Sequence, residues 1–295
     1  MKKLVSLLLT GVLAAGLLAG CSGNTGASAT PTPAPQSQAP APESQAPASE
    51  NPLSGTTIKV GASPAPHAEI LEVVKGLLAQ QGVTLDIVEF DDYIIPNTAL
   101  EEGELDANYF QHITYLNNFN EEHDTHLVSV AEIHYEPFAI YPGKCASLTD
   151  LPDGAKIAVP NDGTNEARAL LLLQANGLIT IKEGVGLSAT KLDIAENPHG
   201  YDIVEMEAKL LPSVLADVDL AVINGNYALG AGLTADQALA FEDASEATQP
   251  YVNVLAVKEG RENDPAIQAL VAALQSQEVK DFMNQTYGNA VVPVF

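Results

Sequence analysis

The chain has 295 residues, 46% of them hydrophobic, and 38 Asp and Glu against 13 Lys and Arg give a formal charge of −25. So acidic a protein is excluded from the class that binds nucleic acid through basic surface, and from electrostatic docking onto anionic lipid. The acids are scattered rather than blocked, the pattern of a solvated surface.

The first residues read as an address. Lys2 and Lys3 precede a nearly unbroken apolar run over 4–18, which ends in Leu18-Ala19-Gly20-Cys21. Small residues before the cut suit a signal peptidase, and the run is shorter than the roughly 20 residues a bilayer crossing needs. We expect a signal peptide over 1–20 and a Cys21 thiol that is diacylated (palmitate), as in bacterial lipoproteins. The chain would then be lipid-anchored on the extracytoplasmic face of the cell membrane. The one other cysteine, Cys145, is left without an intrachain partner, and a buried or idle thiol outweighs a catalytic one. Residues 21–55 are mostly Ser, Ala, Pro, Gln, Thr and Glu, and are expected to form a disordered, semi-stiff tether. No later run is long and apolar enough to cross a membrane.

From Thr56 the texture alternates between strands and helices. Strands are expected over 57–61, 83–90, 126–133, 138–141, 156–160, 201–206, 220–223 and 252–257. Ile70, Val73, Val74, Leu77 and Leu78 recur at helical spacing. Further helices are expected over 166–174, 210–215 and 266–275. This rhythm predicts an α/β protein with largely parallel sheets. About 240 residues exceed the needs of one such sheet, so we expect two lobes, 56–138 with 248–295 and 139–247.

Polar and aromatic groups gather in four stretches, several of them at strand ends, where open α/β sheets bind ligands. These are Asp91-Asp92-Tyr93, then Asn108-Tyr109-Phe110-Gln111-His112 with Tyr115 beyond, then Asn161-Asp162-Gly163-Thr164-Asn165 leading to Arg168, and last Asn224-Gly225-Asn226-Tyr227. The third has the clearest physics. A helix N-terminus offers free N–H groups to an anion, Thr164 or Asn165 is a fitting cap, and Arg168, in the first turn, adds a planar fork of donors. That arginine is either an anion anchor or a surface ion-pair partner. Tyr93, Phe110, His112 and Tyr115 either wall an apolar pocket, well suited to a thioether, or are ordinary core rings.

Taken together, 96–100, 103–112 and the run Asn161-Asp162-Gly163-Thr164-Asn165-Glu166-Ala167-Arg168-Ala169-Leu170-Leu171-Leu172-Leu173 resemble the NlpA/MetQ lipoprotein family. The loop 61–69, Asp193-Ile194, Asn197-Pro198 and the closing 288–294 are similar too, so the resemblance runs from Thr57 to the C-terminus. It implies a two-lobed periplasmic-binding-protein fold whose interlobe cleft holds methionine for the permease and ATPase subunits of an ABC importer, with no enzymatic activity and no cofactor. Carried over, it puts Tyr93, Phe110, His112 and Tyr115 around the thioether, Arg168 on the carboxylate, and Asn165 with Asn224 or Asn226 on the amino-acid head. Gly163 and Ala167 stand where the family often has Pro and Gly, which puts the fit beside Arg168 in question. Whether Ser63 or His67 touches ligand is open.

Two other classes compete with this reading. A surface hydrolase would need a nucleophile elbow or an H-E-x-x-H helix, and neither is present. A metal-binding importer subunit could use His123 and His126, completed by His67, His112, His134 or His199, although the first two sit among acids in what reads as a solvated loop.

Overall fold

The computed structural model describes residues 52–243 and 249–295. The expected signal peptide, the expected lipidation site at Cys21 and nearly all of the expected tether lie outside the described residues. The tether's expected end is corrected: residues 52–55 form a turn, with Gly55 N–H on the Gly82 carbonyl at 2.8 Å, and Leu53 packs on the first core. The folded body therefore begins a few residues before Thr56.

Two sheets organise that body. The first holds β1 (Thr57–Ala62), β2 (Thr84–Glu89), β3 (Ala107–His112), β4 (Leu127–Tyr135), β12 (Val252–Lys258) and β13 (Val292–Pro293), in the order β13-β4-β12-β3-β1-β2. The second holds β5 (Ala139–Pro142), β6 (Lys156–Pro160), β9 (Asp202–Met206), β10 (Leu220–Ile223) and β11 (Ala240–Phe241), in the order β11-β5-β10-β6-β9. A small pair, β7 (Thr180–Ile181) and β8 (Ile194–Glu196), stands apart. The helices are α1 (Glu69–Ala79), α2 (Ile95–Glu101), α3 (Ile113–His123), α4 (Gly163–Ala175), α5 (Gly225–Gly230), α6 (Pro265–Leu274) and α7 (Gln277–Thr286). No helix among the described residues is long and apolar enough to cross a membrane.

The sheets are mixed rather than largely parallel. Strand β1 runs parallel to β2 and β3, and β6 parallel to β9 and β10. Antiparallel pairs join β12 to β3 and β4, β13 to β4, and β5 to β10 and β11. The cause is connectivity. A parallel neighbour needs a crossover within its own sheet, whereas β12 returns to the first sheet only after the chain has built the second.

Each sheet buries its own core. In α1 the buried Ile70, Leu71, Val74 and Leu78 form a stripe on β1, whose Ile58 and Val60 are also buried. Each such aliphatic side chain contributes about 1.5–3 kcal/mol on burial. The second core gathers Ile157 and Val159 of β6, Leu220 and Val222 of β10, and Leu170 and Leu173 of α4.

Three local expectations change. Helix α4 starts at Gly163, and its cap is Asp162, whose side chain accepts the Asn165 N–H at 2.9 Å. Thr164 and Asn165 are therefore inside the helix, and Arg168 falls in its second turn rather than its first. The segment Ala208–Val214 is 3₁₀ rather than α-helical and contains Pro212, which lacks the N–H an α-helix would use. Strand β3 and helices α2, α3, α5 and α7 were not read from periodicity.

Candidate functional site

The loop after β2, the end of β3, the start of α3, the interior of α4 and the turn from β10 into α5 converge on one cavity. It is lined on one side by Tyr93, Phe110, His112 and Tyr115, and on the other by Asn165, Arg168, Asn224 and Asn226. Every sequence-predicted ligand residue is thus brought to a common space. Gln111, Glu136, Gly225 and Asn253 line it too.

The aromatic side is a packed set of rings. Tyr93 lies 5.9 Å from Phe110, 5.7 Å from Tyr115 and 5.0 Å from Tyr227, centroid to centroid. These are the tilted and edge-to-face separations that aromatic pairs prefer. Tyr93 donates its hydroxyl proton to Asn226 Oδ1 at 2.6 Å, and Tyr115 OH donates to the Tyr93 carbonyl at 3.0 Å. Tyr227 OH donates to the Asp91 carbonyl at 3.0 Å. Residues flanking the first sheet are thereby stitched to residues flanking the second.

His112 ends β3 and caps α3, its Nδ1 accepting the Tyr115 N–H at 3.0 Å. That bond fixes the tautomer. The proton must sit on Nε2, which donates to Asn165 Oδ1 at 3.2 Å. Burial, helped by the charge of Arg168, drives this imidazole down to about 3, so it is neutral near pH 7. Asn165 is oriented in turn by Asp162, which accepts its Nδ2 at 2.9 Å. Asn224 Nδ2 then donates to Asn165 Oδ1 at 2.8 Å. Each amide orients the next, and the chain ends on Asn224 Oδ1, a buried acceptor without a hydrogen-bond partner among the described residues. An unpaired buried acceptor costs about 1–3 kcal/mol.

Arg168 is 4% exposed. Its Nε donates to Glu242 at 3.1 and 3.0 Å, its Nη2 pairs closely with the same carboxylate, and Nη2 also donates to the Glu136 carbonyl at 2.8 Å. The guanidinium carbon sits 4.2 Å from the centroid of Tyr251 and 4.8 Å from that of Phe138. Burial alone would lower its pKa, but Glu242 more than offsets that and holds it raised. Of the two sequence alternatives, the surface ion pair is replaced by a buried one. The expected helix-terminus anion site is also altered, since Asp162 itself occupies the Asn165 N–H and accepts the Glu166 N–H at its carbonyl.

Behind the cavity, His134 Nε2 meets Glu136 Oε1 at 2.8 Å, and His67 Nε2 lies 3.4 Å from that oxygen and 3.0 Å from Asn253 Oδ1. Tyr109 OH contacts His134 Nδ1. These three side chains, His67, His134 and Glu136, are the one group among the described residues close enough to share a cation. In this structure they are held by hydrogen bonds. A bare Nε2 against a carboxylate is unfavourable, so both Nε2 atoms carry hydrogen, that of His134 donated to Glu136 and that of His67 to Asn253. His123 and His126 do not join this group: His126 is largely exposed beside Glu101. Ser63 and His67 are buried but do not line the cavity.

Sequence reasoning missed Glu136 and Glu242. The only signal for Glu136 was an acid and a histidine set in the otherwise apolar Ile133-His134-Tyr135-Glu136-Pro137-Phe138. Cys145 is half-buried, its sulfur 3.6 Å from Asp219.

The NlpA lipoprotein family profile matches residues 58–295. The chain belongs to that family. Its structure is similar to that of a lipoprotein from Ruminococcus gnavus ATCC 29149, with 55% identity and a TM-score of 0.80, covering 81% of this chain and all of that one. It is also similar to a nutrient binding protein from Burkholderia cenocepacia bound to methionine, at 45% identity and a TM-score of 0.77, covering 81% of this chain and all of the other. Among relatives, the D-methionine-binding lipoprotein MetQ of Salmonella typhimurium is 42% identical over 80% of this chain and 87% of its own length. The two-lobed fold expected from the sequence is the fold of these substrate-binding relatives.

Proposed function

We propose that this lipoprotein binds methionine in the cavity between its two sheets and delivers it to an ABC importer, acting as a binding protein rather than an enzyme. In this reading the two sheets with their helices are the lobes, 56–138 with 248–295 and 139–247. Cys21 carries the lipid that holds the protein on the extracytoplasmic face of the membrane. The observation that carries the proposal is the amide chain ending in the open acceptor of Asn224, set in the same cavity as the Arg168 guanidinium. An α-amino acid brings an ammonium donor and a carboxylate on adjacent atoms, and that pair suits this acceptor and this cation.

The rings of Tyr93, Phe110 and Tyr115 define the side chain. They offer apolar faces and edges, against which a thioether sulfur packs favourably. His112 is neutral and spends its one N–H on Asn165, so it adds an apolar ring face rather than a charge. The kinship with methionine-binding relatives agrees with this wall. Ligand capture would follow the hinge closure usual for two-lobed binding proteins, with the Tyr93–Asn226 and Tyr227–Asp91 bonds as its latches.

Isothermal titration calorimetry of the full chain in detergent against L- and D-methionine, leucine, glutamine and alanine tests the proposal. Methionine should bind most tightly and leucine, which lacks sulfur, more weakly. Equal binding of leucine, or heat only with a polar amino acid, would overturn it.

A further inference from the structure

Glu136 is 5% exposed, lines the cavity and has no whole positive charge as a partner. Its ion-pair contacts among the described residues are His134 at 2.8 Å and His67 at 3.4 Å. Burial pushes those imidazoles down to about 3 and about 4, so at neutral pH both are uncharged donors. The nearby cation, Arg168, gives its fork to the Glu242 carboxylate and touches only the backbone carbonyl of Glu136.

Donors nevertheless converge on this carboxylate. Two imidazole N–H groups and the backbone N–H of Asn226 face it, and donors of that kind favour the charged form against the burial that raises its pKa. Room for it is made by Gly225, where a Cβ would fall 2.6 Å from Glu136 Oε2 and 2.8 Å from its Cβ. Any other residue there would displace the acid. A buried charge without a counter-charge is costly, and such groups are paired in native states.

We propose that Glu136 is the counter-charge for the ligand's α-ammonium, and that His134 and His67 are positioning residues that aim it, so that the cavity selects for the amino group as stringently as for the side chain. The inference rests on the amino-acid reading above and adds to it. With ligand bound, charges alternate in sign along the cavity: Glu242, Arg168, the ligand carboxylate, the ligand ammonium, Glu136. Each buried charge then has an opposite neighbour on every side. Asn224 Oδ1, open among the described residues, takes a second ammonium proton.

The test compares L-methionine with 4-(methylthio)butanoate, which keeps the thioether and carboxylate and lacks only the amino group. Calorimetry on the wild-type full chain should show the amine-free acid binding at least about 100-fold more weakly, as expected when a buried charge loses its partner. In Glu136→Gln, nearly isosteric and verified as folded by circular dichroism, methionine should weaken at least about 30-fold while the amine-free acid changes less than threefold, so the preference collapses. His134→Leu should shrink the same ratio by a smaller factor, and His134→Gln, which keeps an N–H donor, should restore most of it. An unchanged ratio in Glu136→Gln, with methionine still bound by wild type, would overturn this inference alone. No methionine binding by wild type would overturn the amino-acid reading and this inference together. An unchanged ratio in His134→Leu would remove the positioning role.

Discussion

At one end of the cavity every polar group is held by another: Asp162 orients Asn165, Asn165 orients Asn224, His134 and His67 grip Glu136, and Glu242 holds Arg168. At the other end, Tyr93, Phe110 and Tyr115 are held mainly by each other's faces and edges. The polar end is rigid because each atom has few acceptable directions. The ring faces that would meet a ligand are apolar, with the hydroxyls of Tyr93 and Tyr115 bonded elsewhere, so this end tolerates a range of side chains of similar bulk. Recognition of the amino-acid head should therefore be all-or-none, and recognition of the tail graded.

The largest effect expected from this contrast is at Arg168. Replacing it by Ala leaves Glu242 buried at 8% exposure with its cation gone, and breaking a buried pair in this way costs about 3–5 kcal/mol. Methionine binding should fall at least about 100-fold, and thermal unfolding should shift downward. The double variant Arg168→Met, Glu242→Leu separates the two losses, since it removes the stranded charge as well. Its melting temperature should recover only part of the way toward wild type, because Tyr135 OH and the Phe138 N–H lose Glu242 as their acceptor, while calorimetry still finds methionine binding lost. Recovered binding in the double variant would show that Arg168 serves the fold and not the ligand.

The ring end should break more gently. Tyr115→Ala removes its ring contacts with Tyr93, Phe110, His112 and Phe119 and the hydroxyl bond to the Tyr93 carbonyl. Methionine affinity is expected to drop about tenfold, which is near the size of a lost sulfur–aromatic contact with its buried area. Alanine, too short to reach the wall, should lose less than twofold. Equal losses for both ligands would mean that Tyr115 acts through the general packing of α3.

The sequence showed both ends in outline, because the ring and amide residues cluster at strand ends and within one helix turn of each other. Strands such as Lys156–Pro160 and Leu220–Ile223 were legible to the residue, being short apolar runs bounded by polar turns. Partner choice was not legible. Glu242 reaches Arg168 across 74 positions, and Glu136 meets His67 from the segment just before α1, a pairing no local pattern shows. Strand β3 was hidden for a related reason. All six of its residues are buried, and its polar members are satisfied by one another and by α2, as where Asn97 Nδ2 donates to Gln111 Oε1 at 2.8 Å. A strand buried on both faces with amides inside carries no alternation to read.

The buried histidines of the polar end also set how the fold responds to acid. His67, His112 and His134 sit well below the ordinary value of 6.5, chiefly through burial. The unfolded chain then binds more protons than the folded one between about pH 6.5 and 3, so these groups make stability fall as pH falls. Glu166 is raised to about 7, mostly by burial, and has the opposite sign, gaining stability as pH drops from about 7 toward 4.5. The two partly cancel above pH 4.5, and the steepest loss of melting temperature is expected below it. His112→Gln should flatten that limb of the curve, whereas Tyr115→Ala should shift it without changing its slope. A His112→Gln slope identical to wild type would show that this imidazole is already protonated in the fold.

The smallest effect is expected at Gly163, where the family often has Pro. Gly163 is the first residue of α4, and Asp162 before it is extended, with φ −82° and ψ 144°. Both conditions suit proline: its missing N–H is harmless at the first helical position, and the residue before it belongs in the extended region. A Cβ at 163 would meet nothing nearer than Asn118 Oδ1 at 3.9 Å. Ala167, the other departure, is fully buried within the second core and needs no space it lacks. Gly163→Pro should therefore raise stability by about 0.4–1 kcal/mol, because it restricts the unfolded chain more than the folded one. Methionine affinity should stay within twofold, since Asn165 and Arg168 keep their places on a helix whose cap is unchanged. A drop in both quantities would mean that the loop before α4 must flex for the cavity to take its ligand, and that the glycine is there for motion.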